Sequence, residues 1–267
     1  FEGNGHTINN IYINSNNSNQ GLFGVIGKSG KVKNIKIIGT IQIGGNNAAG
    51  ISAINKGSIE KCINNSNVIT GGYASGGISG SNNGIIYRCI NNGDITAYGE
   101  SAGGVAGYNG CISGNGFIIE TINNGSVISY SWTSGGITSA NGNLGYDAKG
   151  YICNSYNTGT ILGGNGRRAG IVGQVKCKGG ISYIYNCYNI GDIGGCPEII
   201  GYDWGGDTAS IEKNNLVKSQ VSIEGLNINS EVEENLQATG LYINNAFTSD
   251  TSNINNGYPI LKWQLNN

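Results

Sequence analysis

The sequence lacks the residues that identify several classes of protein. It has 267 residues but no methionine, two prolines and one histidine, and charged side chains make up only 12% of it. The net charge of −1 excludes the basic surface by which proteins bind nucleic acid. No run of 18 or more apolar residues occurs, so no membrane-spanning helix is predicted. The absence of methionine predicts that the chain is a piece of a longer protein.

The seven cysteines do not have the spacing of a metal-binding motif. They form no CxxC pair, and the single His6 cannot complete a Cys/His zinc site. We therefore predict no metal and no other cofactor. What the chain has in quantity is glycine, at 48 residues, together with many isoleucines and asparagines. Isoleucine favours strands, while glycine and asparagine favour tight corners, so the composition predicts short strands joined by sharp turns.

Three columns of residues recur along the chain and predict a stacked coil. The first column is Phe23, Ile51, Ile78, Val105, Ile137 and Ile171, and each member follows by ten positions a member of the second, Ile13, Ile41, Val68, Ile95, Val127 and Ile161. The third column is Ile35, Cys62, Cys89, Thr121, Ser155 and Cys187. Constant spacing within a repeat whose length varies elsewhere is typical of a solenoid. We predict an all-β parallel β-helix of about seven coils.

Asparagine and glycine occupy fixed positions after the third column. Two residues after it, five successive repeats have asparagine: Asn64, Asn91, Asn123, Asn157 and Asn189. Stacked amides can hydrogen-bond to one another along the axis, which predicts a structural ladder at a buried turn. Four residues after the column stand Gly39, Ser66, Gly93, Gly125, Gly159 and Gly191. This glycine column predicts a corner with positive φ or close packing.

The cysteines of the third column allow two interpretations. A stack of small, half-polar core residues is favoured, because free cysteine behaves as a small hydrophobe. A disulfide between adjacent coils is the alternative, which Cα spacing permits but which requires a specific dihedral angle.

One corner of each repeat carries almost all the length variation. The insertions are Gly107–Gly116, Ala140–Gly150 and Gln174–Gly180, and we expect them to stack as a loop wall that Tyr202–Asp207 continues. Insertions on one face of a solenoid often mark its binding face. The candidate ligand-binding residues on this wall are Tyr108, Tyr146, Asp147, Lys176, Lys178, Tyr202, Asp203, Trp204 and Asp207. The alternative is drift in solvent-facing loops.

The last residues leave the repeat pattern, which predicts two parts. Residues 1–225 form the β-helix and residues 226–267 a C-terminal capping segment. Ser230-Glu231-Val232-Glu233 has the spelling of a capping box, predicting a short helix that Gly240 closes. A strand is predicted at Leu241–Phe247. We expect this tail to cover the exposed end of the coil stack.

The segment Gly21-Leu22-Phe23-Gly24 resembles the GLUG motif of bacterial surface and adhesin-type proteins. Degenerate copies follow in register, such as AGIS at Ala49 and GGVA at Gly103, and His6 fits the GHTI that resembles the segment before the motif. The resemblance implies a right-handed parallel β-helix from a secreted or cell-surface bacterial protein. Relatives include accessory regions beside immunoglobulin A peptidases, but this chain has no HExxH motif that would carry such an activity.

Three functions remain open from these residues. We favour a non-catalytic, extracellular binding or adhesion module, monomeric as this fragment, that recognises a glycan or a host surface protein. Tyr130 and Trp132 are further aromatic residues that could stack on sugar rings. The alternative is a polysaccharide-cleaving enzyme, a lyase or glycoside hydrolase, for which Asp203 and Asp207 near Trp204, with Arg167 and Arg168 one coil earlier, are the candidates. A ligand-free spacer is the third possibility.

Overall fold

A computed structural model gives the fold as an all-β solenoid of about six turns. It describes residues 1–111, 114–142, 148–175, 181–203, 210–227 and 233–266. Strands of successive coils pair in parallel in every sheet of the solenoid. The prediction of about seven coils is close. Two of the sheets contain seven strands each, and six full turns of the solenoid link the first strand of such a sheet to the last.

Two seven-stranded sheets form two sides of the solenoid. The strands of sheet 1 are Phe23–Ile26, Ser52–Asn55, Ser79–Asn82, Ala106–Asn109, Thr138–Asn141, Val172–Val175 and Ile200–Asp203. The strands of sheet 2 are Lys31–Lys33, Ser58–Glu60, Ile85–Tyr87, Gly116–Ile119, Gly150–Cys153, Ser182–Tyr185 and Ser210–Lys213. The described parts of the three insertions follow sheet 1, so the length variation falls between these two sheets.

The remaining sides are an eleven-stranded sheet and a five-stranded sheet. The strands of sheet 3 are Thr7–Ser15, Lys36–Ile43, Ile63–Asn64, Asn67–Thr70, Ile90–Asn91, Ile95–Ala97, Ile122–Asn123, Val127–Ser129, Tyr156–Asn157, Ile161–Gly163 and Tyr188–Asn189. The strands of sheet 4 are Ala48–Ala49, Ser75–Gly76, Ser101–Gly103, Thr133–Gly135 and Arg167–Ala169.

The predicted columns are the vertical stacks of the solenoid. The second column is in register from Ile13 through Ile41 to Ile161. Ile51, Ile78 and the later members of the first column are fully buried, in one core cluster with the stacked Ile59, Ile86 and Ile118. Burial of these branched side chains is the main force that closes each coil.

The amide ladder is confirmed at the middle of sheet 3. Asn64 donates from Nδ2 to Oδ1 of Asn91 at 2.7 Å, and the same bond continues through Asn123 and Asn157 to Asn189. Each amide also donates to a carbonyl two residues ahead, as Asn123 does to Gly125 at 2.8 Å. All five residues are buried, so these bonds satisfy polar groups that water cannot reach.

The glycine column lies at the same corner and owes its glycines to close packing. A Cβ on Gly125 would lie 2.1 Å from the carbonyl oxygen of Gly93 in the preceding coil. In the second coil Ile37 replaces the ladder asparagine, and there one uninterrupted strand, Lys36–Ile43, spans what later coils divide into two. The asparagine is thus the residue that makes the corner.

A second amide ladder joins the end of sheet 1 to the next corner. Asn55, Asn82, Asn109 and Asn141 are fully buried and bond to one another at 2.7–2.8 Å. This ladder was not predicted. Its signal in the sequence is an asparagine four positions after Ile51 and after each of the next three members of the first column.

The six cysteines that the structure describes are free thiols. Cys62, Cys89 and Cys187 lie buried in the hydrophobic core, which agrees with the small-residue interpretation of the third column. Burial raises the pKa of Cys187 to about 12, so its thiol stays protonated and unreactive near neutral pH.

The described tail lies against the side of the solenoid, and the prediction that it covers the end is wrong for this part. After the last solenoid strand the chain has the α-helices Ile223–Leu226 and Glu234–Ala238, the 3-10 helices Lys218–Gln220 and Lys262–Asn266, and the strands Phe247–Thr248 and Ile260–Leu261, which pair antiparallel. Leu236 packs on the outer face of sheet 2, and Phe247 and Leu261 pack on Tyr156 and Tyr188 of sheet 3.

The predicted tail elements are partly confirmed. A helix does precede Gly240, whose φ is +65°, and Glu233 is its N-cap, but Ser230 lies outside the described residues. The strand predicted at Leu241–Phe247 is wrong, because only its last residue is in a strand. In this segment the Asn154 amide donates to the backbone carbonyl of Ile243, and the Asn186 amide donates to the Tyr242 hydroxyl. Side chains of the solenoid therefore bond to the segment where a neighbouring strand was expected.

Candidate functional site

Most candidate residues of the predicted loop wall lie outside the described residues. Six of its candidates do so: Tyr146, Asp147, Lys176, Lys178, Trp204 and Asp207. Tyr108 is described, and its side chain is buried and not displayed on a wall. It lies on a sheet 1 strand, stacks on Tyr73 at 6.3 Å and donates from its hydroxyl to Glu100 at 3.3 Å. The side chain is therefore part of a buried cluster with Ala74, Cys111 and Ala140.

Another described residue of the insertions serves the tail. Lys149 donates from Nζ to Glu233 at 2.8 Å, and Tyr151 donates from its hydroxyl to the same carboxylate at 2.7 Å. These bonds hold the second tail helix on sheet 2. The described part of the wall thus contributes to the packing of the chain, and its role in binding stays a prediction.

The most exposed stacked aromatic pair lies at a different corner, between sheets 3 and 4. The rings of Tyr98 and Tyr130 are parallel within 6°, with centroids 5.2 Å apart. Their side chains are 63% and 62% exposed. Coil stacking places the two rings one above the other, because each follows a paired strand residue, Ala97 or Ser129.

Glycines flank this pair along the axis. Four residues form one column here, because each backbone N–H donates to a carbonyl oxygen at the equivalent position of the preceding coil: Gly71, Tyr98, Tyr130 and Gly164. Glycine has no side chain to extend the stack in either direction. An open space of about 480 Å³ lies beside Tyr130, lined also by Leu162, Gly163 and Arg168.

The open space beside Tyr130 is a groove lined by both apolar and polar groups. Leu162 is 41% exposed, and Arg168 donates from Nε to the thiol of Cys196 at 3.2 Å. Asn165 lines both this groove and a neighbouring space of about 380 Å³ with Trp132 and Arg167. The two spaces therefore form a continuous surface across one corner of the solenoid.

A guanidinium group organises the neighbouring space. Arg167 lies 4.9 Å from the ring centre of Trp132 and 4.8 Å from that of Tyr202. Such cation–π contacts fix both rings without covering them fully, and Tyr202 is 42% exposed. Asp203 is exposed and follows Tyr202 at the end of the same strand.

We name this surface the tyrosine–arginine groove, defined by Tyr98, Tyr130, Trp132, Arg167, Arg168 and Tyr202. Rigid aromatic faces beside guanidinium and amide donors can hold a ring that is apolar on its faces and hydroxylated at its edge. Pyranose sugars have that character. Every member except Tyr98 was a candidate from the sequence. The signal for Tyr98 is its place three positions after Ile95, where the next coil has Tyr130 after Val127.

Other kinds of site find little support in the described chain. It contains no group of three or more histidine, cysteine or acidic residues that could hold a metal ion. Within the same residues, no helix is both long and apolar enough to cross a membrane. Asp94 and Asp192 lie in one column three coils apart, too far to act together in catalysis.

Comparisons with known proteins support the fold. No family model and no curated protein matches the chain. A crystal structure of a candidate immunoglobulin A1 protease from Bacteroides ovatus, solved at 1.30 Å, matches with a TM-score of 0.54 and 20% sequence identity. The match covers 98% of this chain and 77% of that one. At this identity the likeness concerns the fold alone.

Proposed function

We propose that this chain is a non-catalytic binding module that recognises a saccharide through the tyrosine–arginine groove. The observation that carries the proposal is the Tyr98–Tyr130 pair, two parallel rings more than 60% exposed. Exposed apolar area of this kind costs free energy in water, and a sugar ring that covers it recovers about 25 cal/mol per Å². The arginine and asparagine side chains beside the pair supply donors for the sugar hydroxyls.

The scaffold suits this role. Parallel coils hold the aromatic residues at fixed separations, so little side-chain freedom is lost when a ligand binds. A groove that crosses several coils fits an extended oligosaccharide better than a single sugar. The GLUG-like repeats support placement of the module outside the cell, as part of a larger bacterial surface protein whose partner is a glycan or a glycosylated host protein.

The test is a glycan array with the chain and two variants. We expect at least one glycan to bind, and the double variant Tyr98→Ala/Tyr130→Ala to lose about tenfold or more in affinity, or roughly 1.4 kcal/mol. Tyr12→Ala is the matched control, because Tyr12 is 71% exposed on an unrelated part of sheet 3. Unchanged binding by the double variant would overturn this site, and no binding at all would favour the spacer alternative.

A polysaccharide-cleaving enzyme is the second candidate, supported by one observation in the last coil. The pKa of Glu212 is raised, first by desolvation and also by the nearby charge of Asp203, against the lowering effect of Asn215. Glycoside hydrolysis needs two neighbouring carboxyl groups, one of which acts as the acid with a raised pKa. A reducing-sugar and unsaturated-product assay over a polysaccharide panel decides between the candidates. Activity that Asp203→Asn abolishes would establish the enzyme.

The named activity of the solved Bacteroides ovatus protein is not part of this proposal. A shared solenoid gives no information about catalysis, because chemistry depends on site residues and not on the fold.

A further inference from the structure

A second pocket lies between the first coils and the C-terminal 3-10 helix. Its volume is about 260 Å³, which suits one small molecule. Ile63 and Ile90 form apolar lining, and the indole of Trp263 from the tail lies against them. Lys36, Lys61 and Arg88 provide three cationic side chains in the same pocket.

The positive charge of this pocket is largely uncompensated. Arg88 pairs from Nε with Glu120 at 2.8 Å, but neither Lys36 nor Lys61 forms an ion pair within the described residues. A second carboxylate, that of Glu2, bonds to the lining, since its Oε1 accepts from Asn34 at 2.8 Å. An anion that enters the pocket therefore meets two unpaired ammonium groups.

The backbone under these charges is strained. One column of residues, each directly before the third column, has φ between +49° and +55°: Asn34, Lys61, Arg88, Glu120, Asn154, Asn186 and Asn214. Asparagine tolerates this conformation best, while other side chains have a cost of about 1–2 kcal/mol there. Lys61 and Arg88 depart from asparagine at the pocket, and Glu120, which pairs with Arg88, departs from it in the next coil. Strain that the fold does not require points to a function.

Trp263 gives an independent indication. Its indole Nε1 is buried and has no hydrogen-bond acceptor within the described residues. That N–H is therefore closed to a ligand, and what Trp263 presents to the pocket is its ring. The indole ring offers an apolar face to a flat ligand.

We propose that this pocket binds a carboxylate carried on a six-membered ring, with the carboxylate at Lys36, Lys61 and Arg88 and the ring at Trp263. A uronic acid unit and an aromatic carboxylate share this chemistry. The site shares no lining residue with the tyrosine–arginine groove, so the proposal stands apart from the function proposed above.

Titration calorimetry with the whole chain tests the proposal, with glucuronate, benzoate and neutral glucose as probes. We expect glucuronate or benzoate to bind at least about tenfold more tightly than glucose, and the affinity to fall as salt is added. Whichever anion binds more tightly identifies the source of the ligand. Equal affinity for glucose, or no binding of either anion, would overturn the proposal.

Lys61→Asn is the informative variant, because it removes the charge and installs the residue that the left-handed backbone favours. We expect about fivefold or greater loss of anion affinity together with a higher urea midpoint of unfolding. Lys56→Asn, at an exposed lysine that does not line the pocket, is the matched control. Trp263→Ala removes the aromatic ring that lines the pocket. We expect it to weaken anion binding about threefold or more.

Two results would contradict this assignment. One is an anion affinity that Lys61→Asn leaves unchanged. The other is loss of anion binding in Tyr98→Ala/Tyr130→Ala, which would place the ligand in the other groove.

Discussion

Two aromatic stacks on this solenoid have similar geometry and different surroundings. Phe117, Tyr151 and Tyr183 stack on sheet 2 with centroids 4.7 Å apart and planes within 7°. Tyr98 and Tyr130 stack at 5.2 Å and 6°. Tyr151 is fully buried and Tyr183 is 5% exposed, whereas the other two rings are more than 60% exposed.

The tail accounts for the difference. Leu236 packs on the sheet 2 stack, and Glu233 accepts the Tyr151 hydroxyl. No described segment covers Tyr98 and Tyr130. Coil spacing alone makes equivalent side chains stack, so stacking carries no information about function. What distinguishes the two sites is whether the protein itself covers the rings, and an uncovered stack is the one available to a ligand.

The largest expected effect separates the two stacks by stability. Tyr151→Ala removes a buried ring and the bond to Glu233, and we expect a loss of about 3–5 kcal/mol in the free energy of unfolding. Tyr130→Ala should cost about 1 kcal/mol or less, because water already reaches that ring. Urea unfolding followed by circular dichroism measures both. Equal losses would show that the exposed stack is also structural.

A buried and an exposed amide ladder can be compared in the same way, because neighbouring residues, Asn123 and Asn124, belong to one each. Asn123→Ala breaks buried bonds to Asn91 and Asn157, and we expect a loss of about 2 kcal/mol. The loss is limited because Asn91 still donates to Gly93. Asn124 lies in an exposed ladder with Asn92 and Thr158, where water can replace the amide.

For Asn124→Ala we expect about 0.5 kcal/mol or less. The same urea series measures this variant beside Asn123→Ala. If the two variants were equally stable, the buried ladder would contribute no more than its exposed counterpart.

A further small effect concerns the cover over the buried stack. Partial burial alone would raise the pKa of Glu233, but hydrogen bonds from Lys149, Tyr151 and Asn235 outweigh it and lower the pKa to about 2, below the ordinary 4.5. The stabilisation is therefore complete above about pH 5 and is lost as the pH falls towards 2.

Solvent screening limits this effect to about 1 kcal/mol or less. We expect the urea midpoint of the native chain to fall more between pH 5 and pH 2.5 than that of Glu233→Gln. Hydrogen exchange of residues 233–266 over the same range locates the change. Parallel pH profiles for the two proteins would contradict the role of this carboxylate.

The repeat made most of the solenoid predictable. A stacked coil requires the same residue at the same place in every turn, so Ile41, Asn64 and their equivalents reveal the register directly. The second ladder at Asn55 has an equally regular signal, but asparagine is so abundant in this chain that a further column of it does not stand out. The charged residues Lys61 and Arg88 gave no signal of a site, because the sequence does not show which side chains the tail brings into a shared pocket.

The site and the tail were less predictable, because neither repeats. Tyr98 and Tyr130 occupy only two coils, and their exposure depends on where the tail lies. The tail's position is set by contacts such as Glu233 with Lys149, which are 84 residues apart in the sequence. No periodic pattern encodes a contact of that kind, so the end of the stack was the wrong place to expect it.

An NMR titration of the chain with the saccharide that the glycan array selects would show whether the uncovered stack is the binding site. We predict that the side-chain signals that shift are those of Tyr98 and Tyr130 and the indole N–H of Trp132, while Tyr151 and Tyr183 stay unchanged. Shifts confined to other residues, or equal shifts in the covered stack, would contradict saccharide binding at the tyrosine–arginine groove.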